Sequence, residues 1–92
     1  MQNTYISIEP NSLMTYGEEI INIATAYNNE IQNIYNIVEN LKGVWDGTSA
    51  QKFADKIESH KSEYEAFGKL INQVGEFLIT AGSEYKNLEE NL

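Results

Sequence analysis

From Leu13 to Trp45 the apolar residues return at gaps that alternate between four and three: Leu13, Gly17, Ile20, Ala24, Tyr27, Ile31, Ile34, Val38, Leu41, Trp45. A strand repeats every two residues, so a register held for almost five heptads is the stripe of a long helix packed against a neighbouring helix. The positions beside the stripe are partly apolar as well, with Met14, Ile21 and Tyr35 on one flank and Tyr16, Ile23, Ile37 and Val44 on the other. The opposite side (Glu18, Glu19, Asn22, Asn29, Asn33, Asn36, Asn40) is polar and rich in asparagine, a middling helix former, so packing rather than propensity must hold the helix. The one proline, Pro10, suits the first helical turn, where its missing N–H costs nothing, and Glu9 is an unexceptional cap. The short alternation Tyr5-Ile6-Ser7-Ile8 has no partner strand elsewhere and reads as an extended arm.

Gly43 and Gly47 bracket Val44-Trp45-Asp46 and mark a chain reversal, with Thr48 and Gln51 placed as a capping box for the next helix. A second stripe then runs through Ala50, Phe53, Ile57, His60, Tyr64, Phe67, Ile71, Val74, Leu78, Ala81, Tyr85, Leu88 and Leu92. The expected fold is all-α and a single domain over 1–92: helix one over about 10–42, a turn at 43–48 and helix two over about 49–90, folded back as an antiparallel hairpin. Beside the second stripe Gly68, Gly75 and Gly82 recur every seven residues. Each interior glycine costs roughly 1 kcal/mol of helix propensity relative to alanine, which suggests a face where another backbone comes close; the other reading is a loosened or bent helix.

The apolar face is wider than one hairpin can cover. Two helices bury only the sides that face each other, leaving Ile21, Ile23, Ile37, Leu70 and Phe77 wet, whereas two hairpins packed as a four-helix bundle cover them. We therefore expect a dimer whose hairpin or dimer core is Leu13, Ile20, Tyr27, Ile31, Ile34, Val38, Leu41, Phe53, Ile57, Tyr64, Phe67, Ile71, Val74 and Leu78.

Composition removes several classes of function. Six lysines, no arginine and 14 carboxylates give a net charge of -8 spread over both halves, which argues against nucleic acid as a partner, because phosphate neutralisation needs a basic footprint. Without cysteine there is no disulfide, thiolate nucleophile or zinc–cysteine site. The only histidine, His60, falls on the second stripe, and Asp55, Glu58 and Glu63 around it do not form a histidine-rich ligand set, so it reads as a core or boundary residue. The pairs Glu18–Glu19 and Glu89–Glu90 lie on convex polar faces with no cleft to separate their pKa values, and the serines lack a histidine and acid arrangement. The expectation is a non-enzymatic protein with no catalytic residue, metal or cofactor. The first residues lack a basic leader and an apolar run, so no cleaved signal peptide is expected, and no stretch is long enough for a membrane helix.

The turn Trp45-Asp46-Gly47 is the most specific feature. An indole there can cap the stripe as its last layer, or lie in a groove between the helix ends as a landmark for another protein. With Ala50 and Phe53 following, and with Tyr85-Lys86-Asn87-Leu88-Glu89 near the far end of helix two, nearly the whole chain resembles the WXG100 family of small type VII (Esx-like) secretion substrates. Tyr85 and Glu89 match that family's tyrosine-and-acid export element. The resemblance implies a hairpin pairing into an antiparallel four-helix bundle, as a homodimer or with a WXG100 paralogue. It also implies recognition by a membrane-embedded translocase with an ATPase motor, a cytoplasmic pool, and export of the folded dimer without a cleaved signal. In such dimers the Trp-X-Gly turn of one protomer lies near the tyrosine element of the other. The implied role is a secreted, virulence-associated effector or interaction protein; the alternatives are a membrane-active effector, or a cytoplasmic partner or chaperone delivering a larger co-secreted toxin. The acidic, arginine-free surface counts against the membrane-active reading, because anionic lipid attracts a basic amphipathic face. The chain ends three residues after Glu89, leaving little room for a further specificity tail.

Overall fold

In a computed structural model that describes residues 8–91, the first amphipathic run is one unbroken helix, α1, Pro10–Leu41. Its N-cap, Glu9, is extended and offers no side-chain hydrogen bond; its carbonyl accepts from the Leu13 N–H at 3.0 Å, and Pro10 takes the first helical place. The arm expected at Tyr5–Ile8 lies outside the described residues except for Ile8. At the far end the Val44 and Trp45 N–H groups both donate to the Leu41 carbonyl, at 3.0 and 2.9 Å, and close the helix in a tight turn.

Reversal is completed at Gly47, whose φ of 102° is a conformation that glycine alone adopts without strain. The capping box expected from Thr48 and Gln51 does not form: Gly47 itself is the N-cap of the next helix, α2 (Thr48–Ser59), and no side chain caps it. The Gly47 carbonyl accepts from the Gln51 N–H at 3.1 Å, while the Gln51 side chain donates to Asp55 Oδ1 at 2.8 Å.

Sequence periodicity gives one second helix, whereas the structure divides it at His60 into α2 and α3, Lys61–Glu90. The cause is local. Ser59 Oγ donates to the Lys56 carbonyl at 2.8 Å, the oxygen that the His60 N–H would use in a continuous helix, and that N–H turns to Ile57 at 3.2 Å instead. His60 has φ -101° and ψ 3°, and the Tyr64 N–H donates back to its carbonyl at 3.1 Å, so the helical course resumes within a residue.

Along most of their length α1 and α3 approach backbone to backbone. A Cβ built on Gly75 would sit 2.7 Å from the Gly17 carbonyl oxygen and 2.6 Å from Ile21 Cγ1, and one built on Gly82 would sit 2.6 Å from the Pro10 carbonyl. The seven-residue glycine series is thus the surface on which α1 lies, and the reading of a loosened helix gives way to close packing. Ile21 is consequently not left wet, since it is half-buried over Gly75. Tyr27 fixes the register: its hydroxyl donates to the Tyr64 carbonyl at 3.0 Å, and its ring meets Phe67 edge-on with centroids 5.5 Å apart. The result is a rod of 68 × 27 × 16 Å with a radius of gyration of 20.9 Å, where a compact chain of this length has about 12 Å.

Candidate functional site

A hairpin with Gly17, Ala24, Gly68, Gly75 and Gly82 as its inner contacts spends its smallest residues inside and leaves its large ones elsewhere. The only buried hydrophobic side chains are Ala24 and Val38, among the described residues. Of the fourteen expected core positions, Val38 is buried, while Leu13, Ile20, Tyr27, Ile31, Leu41, Ile57, Tyr64, Ile71 and Leu78 are half-buried between or beside the helices. Ile34, Phe53, Phe67 and Val74 are exposed in the single hairpin. They share that state with Tyr16, Ile23, Ile37, Leu70 and Phe77, the last at 72% exposure.

These exposed side chains fall on one side of the rod. On α1 Tyr16, Ile23 and Ile37 each stand one residue before an inner position, and on α3 Phe67 and Val74 stand one residue before Gly68 and Gly75; in antiparallel helices the same rotation turns both stripes to one face, with Leu70 and Phe77 at the outer edge of α3. The Tyr27–Phe67 ring contact links the inner seam to the exposed stripe of α3. A lone exposed leucine needs no explanation, but a gathering of large apolar side chains of this kind does. The whole chain exposes 7341 Å², against roughly 5,400 Å² for a compact monomer of 10.5 kDa.

At the tip, α1 and α2 diverge and leave a groove of about 190 Å³ lined by Val38, Leu41, Trp45, Ala50, Phe53 and Ala54 together with the polar Lys42, Asp46, Gly47 and Gln51. The indole of Trp45 is 40% exposed and leans on Phe53 with ring centroids 5.7 Å apart. Trp45 is therefore both the last layer of the stripe and a wall of an open groove. Tyr85 and Glu89 are both exposed, one turn apart near the end of α3, with Tyr85 just beyond the level where Gly82 meets Pro10. Within one chain the turn and the tyrosine–acid pair thus stand at opposite ends of the rod.

His60 is a boundary residue, with Nδ1 3.1 Å from Glu63 Oε2 and its ring beside Tyr64. No group of three or more histidine, cysteine or acidic side chains is placed to hold a metal ion among the described residues. Sequence reasoning missed the situation of Tyr35. Its hydroxyl is buried without a hydrogen-bond partner, Lys61 Nζ lies 5.1 Å from its ring centroid, and burial, aided by the charge of Glu65, pushes its phenol above the ordinary range. Only its flanking position on the first stripe hinted at that.

The chain matches the family described as "WXG100: Proteins of 100 residues with WXG" over residues 5–90, and it belongs to that family of small, non-enzymatic Esx-like proteins. Among solved structures it is similar to EsxA of Geobacillus thermodenitrificans, with a TM-score of 0.86 at 18% identity over 98% of this chain and 97% of that one. It is also similar to the secreted protein EsxB of Bacillus anthracis strain Sterne, in a selenomethionine form (TM-score 0.80, 18% identity, 95% and 99% covered) and in the wild-type form (0.80, 19%, 92% and 99%). At these identities the likeness establishes the helical hairpin and nothing finer. Among curated proteins none is significantly similar in sequence.

Proposed function

We propose that the protein is exported by a type VII (Esx-like) secretion system as a folded homodimer, and that it acts outside the cell as an effector or interaction protein. The observation that carries this reading is the exposed apolar face of the hairpin. The rod exposes roughly 1,900 Å² more than a compact monomer of its mass, enough surface for an interface of ordinary size between two copies. A second copy supplies the same face by two-fold symmetry, whereas lipid is a poor occupant for a chain of net charge -8 without arginine. No helix among the described residues is long and apolar enough to cross a membrane.

Antiparallel pairing through this face also answers the separation of the two motif elements. It carries the Trp45-Asp46-Gly47 tip of one protomer to the end where its partner presents Tyr85 and Glu89, so that a translocase ATPase could read both as one composite signal. Tyr85 continues the apolar stripe and contributes packing, while Glu89 is free to be read. A WXG100 paralogue in place of the second copy, or a larger co-secreted toxin delivered with the pair, would use the same surface.

The test is export of Glu89→Ala. The variant should remain a dimer by light scattering, at about twice 10.5 kDa, and be lost from the culture fluid as it is in cells lacking the secretion ATPase. A dimeric Glu89→Ala secreted at wild-type level removes the export role of this acid; a well-folded wild-type monomer at micromolar concentration removes the dimer.

A further inference from the structure

The apolar face is not uniform. Along α1 one row of the face, taken every seven residues, runs Tyr16, Ile23, Glu30, Ile37, Val44; along α2 and α3 another runs Phe53, His60, Phe67, Val74, Ala81, Leu88. Each row is broken by one ionisable residue, and beside His60 stands Glu63, in a third row that continues as Leu70 and Phe77. Glu30 and Glu63 fall at one height, and His60 stands about one turn nearer the tip. Tyr27 is level with Phe67 through their ring contact, so Glu30, one turn further along α1, is level with Glu63, one turn earlier along α3. Glu63 holds His60 Nδ1 at 3.1 Å, and Glu30 accepts from Asn33 Nδ2 at 3.3 Å. Among the described residues none of the three is engaged with the opposite helix by a hydrogen bond, and Glu63 keeps 71% of its side chain exposed. An acidic step therefore crosses an apolar face, slightly to the tip side of the rod's middle.

We propose that this step, Glu30 with the His60–Glu63 pair, sets the orientation in which a second copy docks on the face. The orienting role rests on the homodimer pairing proposed for the function. Two hairpins can stack face to face with their tips together or with their tips at opposite ends. With tips together, the steps of both copies coincide, and four carboxylates with only two imidazoles are pressed into one layer of the interface. With tips apart, each step is displaced from the centre by about five residues, so the two steps lie about 15 Å apart at 1.5 Å per residue. That is beyond a Debye length of about 8 Å at physiological ionic strength. Each step then meets the partner's level of Ile20, Ile23, Leu70 and Val74, and the long carboxylate side chains can reach water past the rim. A polar residue at one seam position is known to fix register at the expense of stability, and like charges brought together reject the wrong arrangement.

The absence of cysteine makes the orientation directly measurable. A single Lys52→Cys, on the polar back of α2 near the tip, carries a nitroxide whose distance to its mate is read by pulsed electron resonance. The tips-apart pair gives about 55 Å and the tips-together pair about 30 Å, from helix rise and interaxial spacing. The otherwise unchanged chain should show the long distance alone. Glu30→Ile/His60→Phe/Glu63→Leu, which flattens the step, should bring in the short distance for about a tenth of the pairs or more. Glu30→Gln/Glu63→Gln, which keeps shape and polarity, should do so to a smaller extent and guards against misfolding of the apolar variant. Both variants holding only the long distance would overturn the orienting role while leaving the dimer intact. A monomer in the labelled but otherwise unchanged chain would instead overturn the pairing itself.

Discussion

The shaft of the hairpin, Pro10 to Ile31 against Tyr64 to Glu90, and its tip, Val38 to Ala54, are built on the same heptad pattern and pack in opposite ways. In the shaft, glycines let the backbones touch, so Gly17 and Gly75 meet and Ala24 is only 1% exposed. At the tip the facing residues are large. Trp45 and Phe53 wedge the helix ends apart, a groove opens between them, and α2 contains no buried residue. Small residues bring helices together and push bulk to the outer face; bulk at the contact leaves the contact unfinished. The shaft is complete by itself along its inner seam, while the tip turns its large side chains to an open groove.

Gly75→Leu should disturb this contrast most severely. A leucine placed where the Gly17 carbonyl and Ile21 already stand must pry α1 from α3, and we expect a loss of about 3 kcal/mol in urea unfolding. The same substitution at Gly43, where a Cβ meets only the Asn40 carbonyl at 3.5 Å, should cost less than about 0.5 kcal/mol. Equal losses at the two sites would show that the glycine seam is not what holds the shaft. Next in size is Val74→Asp, on the open face at 47% exposure. It should leave the hairpin's helicity unchanged but weaken self-association about a hundredfold, seen in sedimentation as a shift toward half the mass.

Trp45→Ala isolates the tip. Because the indole is already part-exposed beside an open groove, its removal should cost about 1 kcal/mol rather than the value for a fully buried tryptophan. Amide exchange should quicken in residues 44–54 while the shaft amides stay as they were. The smallest effect belongs to Glu39→Gln, which removes the 3.0 Å ion pair with Lys42 at the end of α1. Both partners are more than half exposed, so thermal unfolding should show a change of no more than about 0.5 kcal/mol. A larger change would mean that the tip draws on surface charge for its stability.

How far the fold was legible differs by feature. Periodicity sufficed for two helical arms and their reversal, because a four-three alternation has one geometric meaning and Gly47 is needed for its positive φ. The seven-residue glycine series likewise indicated close backbone approach. What periodicity could not do was divide the apolar residues between the inside of one hairpin and its outer face. Adjacent heptad positions such as Ile20 and Ile21 differ by about 100° around the helix, and both read simply as apolar. Ile21 was therefore expected to be wet, although it packs on Gly75. The break at His60 was also hidden, since the apolar spacing continues unchanged through the residue where the N–H turns to the Ile57 carbonyl. The Trp45 groove was legible only as an alternative, because an aromatic at a turn can cap a seam or line a cleft and here does both.

The close approach at Gly17, Gly75 and Gly82 has a bearing on passage as well as on packing. It keeps a single hairpin 16 Å thick and 27 Å wide along a length of 68 Å. A second hairpin laid on the open face at a helix-to-helix spacing of about 8–10 Å brings the thickness to about 26 Å. The pair proposed above then has a nearly square section, about 26 Å by 27 Å at its widest. An opening of that size admits the rod end-on, so a pair formed as proposed needs no unfolding to pass lengthwise.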